Sequence, residues 1–173
     1  NGNITKGLIQ ESLPITLLIN LLSIFIIFSI SIVLGTIASV RQNTWVDRSV
    51  TLFVFIGFAI PGFWLALLLM YWTGVVNQWL PISGLHSQGY LSFSEFDQIL
   101  DLLKHLILPV LISCLSGLAG ISLYVRNGML EVLNQDFITT ARAKGINEKK
   151  VVFIHALKNA ILPLITIIGL SIP

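Results

Sequence analysis

The residues most able to do chemistry lie between Arg126 and Pro163. Arg126, Arg142, Lys144, Lys149, Lys150 and Lys158 face only Glu131, Asp136 and Glu148, a clear excess of positive charge in one polar interval. Their spacing supplies no catalytic constellation. The chain contains no GxxxxGK[ST] loop to cradle ATP, no HExxH and no GxSxG. His86 and His105 are isolated, without a second ligand at metal spacing, and read as ordinary polar residues. Cys114 is a single cysteine in an apolar run beside small residues, which suits a packed helix thiol and excludes an internal disulfide framework. No basic tract with interleaved aromatics suggests nucleic acid. What the cations can do is hold a charged surface, either a partner protein or anionic lipid headgroups.

Local signals shape this interval into an elbow. Leu130, Leu133, Phe137 and Ala141 recur at helical spacing, giving one greasy and one charged face. Asp136 is placed to cap a helix starting at Phe137. Gly145 stands where that helix should end, because glycine takes the left-handed conformation without a Cβ penalty. Asn147 can cap a second helix, with Glu148 complementing its dipole. The expectation is a helix, a glycine turn and a helix lying at a membrane surface. Periodicity alone leaves docking on a partner and resting on headgroups equally open.

The surroundings are those of a membrane protein. The 173 residues are 55% hydrophobic and 10% charged, with net charge +2 and mean hydropathy +0.89, whereas a soluble domain carries about 25% charged residues. Residues 15–40 hold no charge and as a helix would span roughly 39 Å, enough for a hydrocarbon core of about 30 Å. Ser31, Gly35 and Ser39 form a small-residue stripe suited to close helix packing, and Ser113, Ser116, Gly117 and Gly120 form another. Spans are expected at 15–40, 50–73 and 105–125, with the beginning of a fourth at 161–173 and a polar coupling loop at 126–160. Residues 1–12 read as an interfacial turn, with Pro14 and Pro109 in the first turns of their helices. Pro61 and Gly62 interrupt the second span, so a kink is expected there, either facing a translocation path or serving packing. Residues 74–104 carry Glu95, Asp97 and Asp101 against Lys104, with Trp72, Trp79 and Tyr90 at boundary positions. The positive-inside rule then puts residues 41–48 and 126–158 in the cytoplasm, and residues 74–104 with the N-terminus outside. The expected spans contain no Asp, Glu, Lys or Arg, which argues against an internal ion relay.

A family resemblance rests on Ala141-Arg142-Ala143-Lys144-Gly145, followed by His155-Ala156-Leu157-Lys158-Asn159-Ala160 and Leu162-Pro163. This run is similar to the cytoplasmic EAA loop of ABC-importer permeases, specifically the dipeptide, oligopeptide and nickel branch. Counted from Gly145, Ala141, Gly145 and Leu157 match the general EAA pattern. Thr139, Thr140, His155 and Lys158 depart from it, as that branch usually does. Residues 79–84 and 104–109 also resemble this branch. The resemblance implies an all-α, polytopic transmembrane bundle, the MetI-like fold of type I ABC importers, in the inner (cytoplasmic) membrane. It implies a non-enzymatic permease subunit that forms the path for peptides or nickel. The implied partners are a second, homologous permease subunit, two cytoplasmic ATP-binding subunits and an extracytoplasmic substrate-binding protein. ATP and Mg would sit on the ATPases, leaving this chain without a cofactor or metal of its own.

In that setting Phe137, Ile138, Ala141, Arg142, Ala143, Lys144 and Gly145 would form the ATPase-coupling loop. Phe137, Ile138 and Ala141 are its expected apolar anchors, with Arg142 and Lys144 on the polar side. Asn1 is not an initiator methionine and residues 161–173 are short for a span, so an internal fragment of a longer permease is expected. The rival readings are a membrane scaffold subunit and an ion-coupled carrier without ATPase partners.

Overall fold

A computed structural model describes the backbone of residues 2–171 and the side chains of residues 12–170. It is 82% helical, with no strand among the described residues. The helices are α1 (Gly2–Val40), α2 (Trp45–Ala59), α3 (Gly62–Leu69), α4 (Glu95–Leu133), α5 (Asp136–Ala143), α6 (Glu148–Lys150), α7 (Leu157–Ala160) and α8 (Leu162–Ser171). Two π-helical stretches, Met70–Val76 and Val151–Ala156, continue α3 and α6. α1 and α4 are long and apolar enough to cross a membrane, and α2 with α3, or α6 and α7 with α8, could each make a further, broken span.

Several boundaries differ from the sequence expectation. α1 starts at Gly2, so residues 2–12 are helix rather than a turn, and Pro14 lies inside the helix. α4 likewise starts at Glu95 and carries Pro109 in its interior. A single proline deletes one backbone hydrogen bond, which a long apolar helix can absorb. The start of α4 has a local cause. The Asp97 N–H donates to Ser94 Oγ at 3.3 Å and the Ser94 hydroxyl donates to the Asp97 carboxylate at 2.6 Å, a variant of the capping box. At 39 residues, α4 is roughly 58 Å long, so its charged ends project beyond a hydrocarbon core of about 30 Å. At Ile60-Pro61 the helix breaks fully. Pro61 is extended (φ −61°, ψ 131°) and caps α3 through its carbonyl, which accepts from Trp64 and Leu65.

The described residues fall into two compact units. One comprises residues up to 23 together with 60–115. Here the loop after α3 is fastened to α4: Ser87 donates both its N–H (2.9 Å) and its hydroxyl (2.5 Å) to the buried Asp101 carboxylate. His86 stacks on Tyr90 with ring centroids 3.8 Å apart, and His105 Nδ1 lies 2.8 Å from the Asp101 carbonyl oxygen. Trp72 and Trp79 meet edge to face at 5.3 Å. Cys114 is buried, its thiol 3.9 Å from the Ser23 carbonyl.

The other unit comprises residues 24–59 and 116–173 and contains the elbow. The C-terminal parts of α1 and α4 pack here through the small-residue stripes. A Cβ on Gly35 would lie 2.6 Å from Val125 Cβ and 2.8 Å from the Ser122 carbonyl, so only glycine permits this approach. The Ser31 hydroxyl donates to the Leu118 carbonyl and accepts from Ser122. Below that contact a single core joins Phe28, Val125, Met129 and Val132 to Ile138, Ala141, Val151, Val152, Ala156 and Leu164.

Candidate functional site

The site is the elbow from Gln135 to Ile161. α5 begins at Asp136, with Gln135 rather than Asp136 at the cap, and no side chain closes the first turn. The expected Asp136 cap is therefore corrected: Asp136 complements the helix dipole from within the first turn instead. At the other end the chain reverses through a Schellman motif. Gly145 has φ 74° and donates to Arg142 at 2.9 Å, while Ile146 donates to Ala141 at 3.3 Å. The Asn147 side chain accepts from the Lys149 N–H at 2.9 Å and so starts α6. Nothing lies within 4 Å of a Cβ built on Gly145, so glycine is required there by backbone conformation and not by crowding.

Arg142 spans the turn. Its guanidinium donates to both Glu148 oxygens, at 2.7 and 3.2 Å, and this hydrogen bond raises the Arg142 pKa above its usual range. The pair is exposed and adds at most about 1 kcal/mol. Beyond α6 the π-helical stretch buries Val151, Val152 and Ala156. α7 and α8 then meet at an angle of 44° between the paired helices, because Pro163, second in α8, cannot continue the hydrogen bonding of α7.

The candidate coupling residues divide sharply. Ile138 is fully buried and Ala141 nearly so, both within the chain's own core. Neither offers surface to a partner in this structure, which leaves Phe137 as the member of the expected apolar set that is open to one. Phe137 is 41% exposed, and Arg142, Ala143, Lys144 and Gly145 are exposed. Phe137 also lines an open cleft of about 520 Å³ with Tyr124, Glu131, Asn159 and Pro163. The outward face of α5 is thus one aromatic ring among polar and cationic groups, while Phe153 and Ile154 are exposed further along the elbow. Pro61 and Gly62 lie in the other unit, at the start of α3.

One site residue escaped the sequence reading. Asp47, in the first turn of α2, is 4% exposed and receives the Arg126 guanidinium in a two-pronged pair, with Nη2 to Oδ2 at 2.8 Å. Asp47 also accepts the N–H of Asn43, a left-handed residue (φ 63°) in the turn after α1. Arg126 is therefore no loop cation. It roots α4 to the 41–48 turn. A hint was available, since Asp47 is the sole acid in that turn.

Long apolar helices, packed through small residues and without a strand among the described residues, define a helical membrane protein. The chain belongs to the family of binding-protein-dependent transport system inner membrane components, whose pattern matches residues 31–173, and its fold is the MetI-like permease fold. It is 43% identical over 172 residues to the oligopeptide transport system permease protein AppB of Bacillus subtilis (strain 168), covering 99% of this chain and 53% of that protein. A putative peptide permease protein of Brucella suis biovar 1 (strain 1330) is 40% identical over 167 residues, covering 96% and 51%. The di/tripeptide transport system permease protein DppB of Pseudomonas aeruginosa (strain UCBPP-PA14) is 32% identical over 198 residues, covering 99% and 59%. The chain thus spans between half and three fifths of the length of these relatives.

Proposed function

We propose that this chain belongs to a permease subunit in an ATP-driven, binding-protein-dependent peptide importer, and that the elbow at Gly145 is where cytoplasmic ATPase subunits push. The observation that carries this reading is the shared core. Ile138 and Ala141 of α5 pack against Val125, Met129 and Val132 of α4 and Phe28 of α1. Close-packed interiors have low compressibility and transmit displacement. A force on the outward face of α5 therefore moves the long apolar helices as a body. Phe137 and Lys144 are the contacts offered to the ATPase groove, with Arg142 held by Glu148 to stiffen the turn. Peptides are the substrate class supported by the relatives' names, and those names lend nickel no support.

In this reading the basic elbow and the 41–48 turn face the cytoplasm and residues 77–94 face outward, where a substrate-binding protein delivers the peptide. A second, homologous permease subunit completes the path, and the helix break at Pro61-Gly62 lines it. ATP and Mg act on the partner ATPases. Co-purification from membranes tests the reading. The chain should bring down two ATPase subunits, and uptake should collapse on ATP depletion. A scaffold would be recovered without ATPases, and an ion-coupled carrier would respond to proton or sodium gradients instead.

A further inference from the structure

Beside the elbow, the C-terminal end of α1 and the α6 side of the turn enclose a mainly apolar groove of about 440 Å³, a volume within the usual range for small-molecule sites. Ile37, Val40 and Phe153 line it and are themselves 41%, 48% and 59% exposed. Thr36 and Val152 also line it, with three charged residues: Arg41, Lys149 and Glu148. The Glu148 carboxylate is already taken by Arg142. Among the described residues no ion pair engages Arg41 or Lys149. The groove therefore presents two uncompensated cations next to bare hydrocarbon. Arg41 also follows directly on the charge-free run of 15–40, which sets its guanidinium where the hydrocarbon of a bilayer gives way to headgroups.

We propose that this groove holds one anionic phospholipid, with an acyl chain along Ile37, Val40 and Phe153 and the headgroup phosphate between Arg41 and Lys149. Basic pockets at the membrane boundary favour such headgroups, each cation adding to the attraction. The site requires only that α1 lie in the bilayer. It stands or falls separately from ATPase docking.

The full-length protein in its assembled complex is equilibrated with vesicles of phosphatidylglycerol or phosphatidylcholine, stripped with detergent, and read by native mass spectrometry. The unmodified complex should keep one phosphatidylglycerol per copy of this chain about ten-fold better than phosphatidylcholine. Arg41→Gln combined with Lys149→Gln should remove that preference, and Arg41→Lys should keep it. Ile37→Trp, which fills the groove and leaves both charges, should expel the lipid. Equal retention of the two lipids would overturn the proposal. So would phosphatidylglycerol held undiminished by the double variant, or photo-crosslinking from Phe153 that captures a polypeptide segment and no lipid.

Discussion

Phe137 and Ile138 are chain neighbours of similar apolarity, and the structure gives them opposite exposure. Ile138 has no exposed surface, whereas Phe137 is open on the outer face of α5. Ile138→Ala should therefore cost about 2–5 kcal/mol through lost burial and the cavity left behind, lowering the thermal midpoint of the purified complex. Phe137→Ala should leave that midpoint unchanged and reduce ATPase recovered on co-purification. Gly145 carries a different strain. Because its φ is 74° with open space around it, Gly145→Ala should cost about 1–2 kcal/mol, Gly145→Val more, and Gly145→Asn less, since asparagine visits this region more readily. Substrate-stimulated ATPase activity in the reconstituted complex should fall in the same order, with Gly145→Val uncoupling hydrolysis from transport. At Asp47, replacement by Asn leaves the half-buried Arg126 with a weaker partner. A loss of about 2 kcal/mol is expected, below the 3–5 kcal/mol of a fully buried pair, and thermal unfolding of Asp47→Asn against the unmodified protein measures it.

The elements show where a sequence speaks and where it does not. Gly145 and Asn147 act on atoms one to three residues away, so the turn and the start of α6 were legible. Ser94 and Asp97 carry the same kind of local signal, but the charge of the interval 74–104 points to a loop and masks the first ten residues of α4. Ser94→Ala should raise amide exchange in the first turn of α4, consistent with a loss of about 1 kcal/mol at a cap. The π-helical stretch Val151–Ala156 is not distinguishable from α-helix in the sequence, because its buried Val152 and Ala156 stand at the ordinary four-residue spacing. The Asp47–Arg126 pair joins residues 79 apart in sequence, beyond the reach of any local pattern. The burial of Ala141 is legible in the face of Leu130, Leu133, Phe137 and Ala141, but that face turns Phe137 inward and omits Ile138, whereas the structure exposes Phe137 and buries Ile138. What that face packs on is not legible, since helical spacing does not say whether an apolar stripe meets the same chain or another.

For the protein as a whole, the mechanical reading depends on the elbow facing the cytoplasm and touching an ATPase. Its internal architecture suits the transmission of force, with a rigid glycine-capped turn outside, a continuous apolar core inside, and membrane-length helices sharing that core. The most direct measurement introduces Lys144→Cys into the full-length protein, with the buried Cys114 changed to Ser, and crosslinks it in native vesicles of known orientation. The account predicts that Lys144→Cys is labelled only from the cytoplasmic face and crosslinks to an ATP-binding subunit, with a yield that changes on adding ATP. Labelling from the outer face, or a cytoplasmic cysteine that never reaches an ATPase, would contradict it.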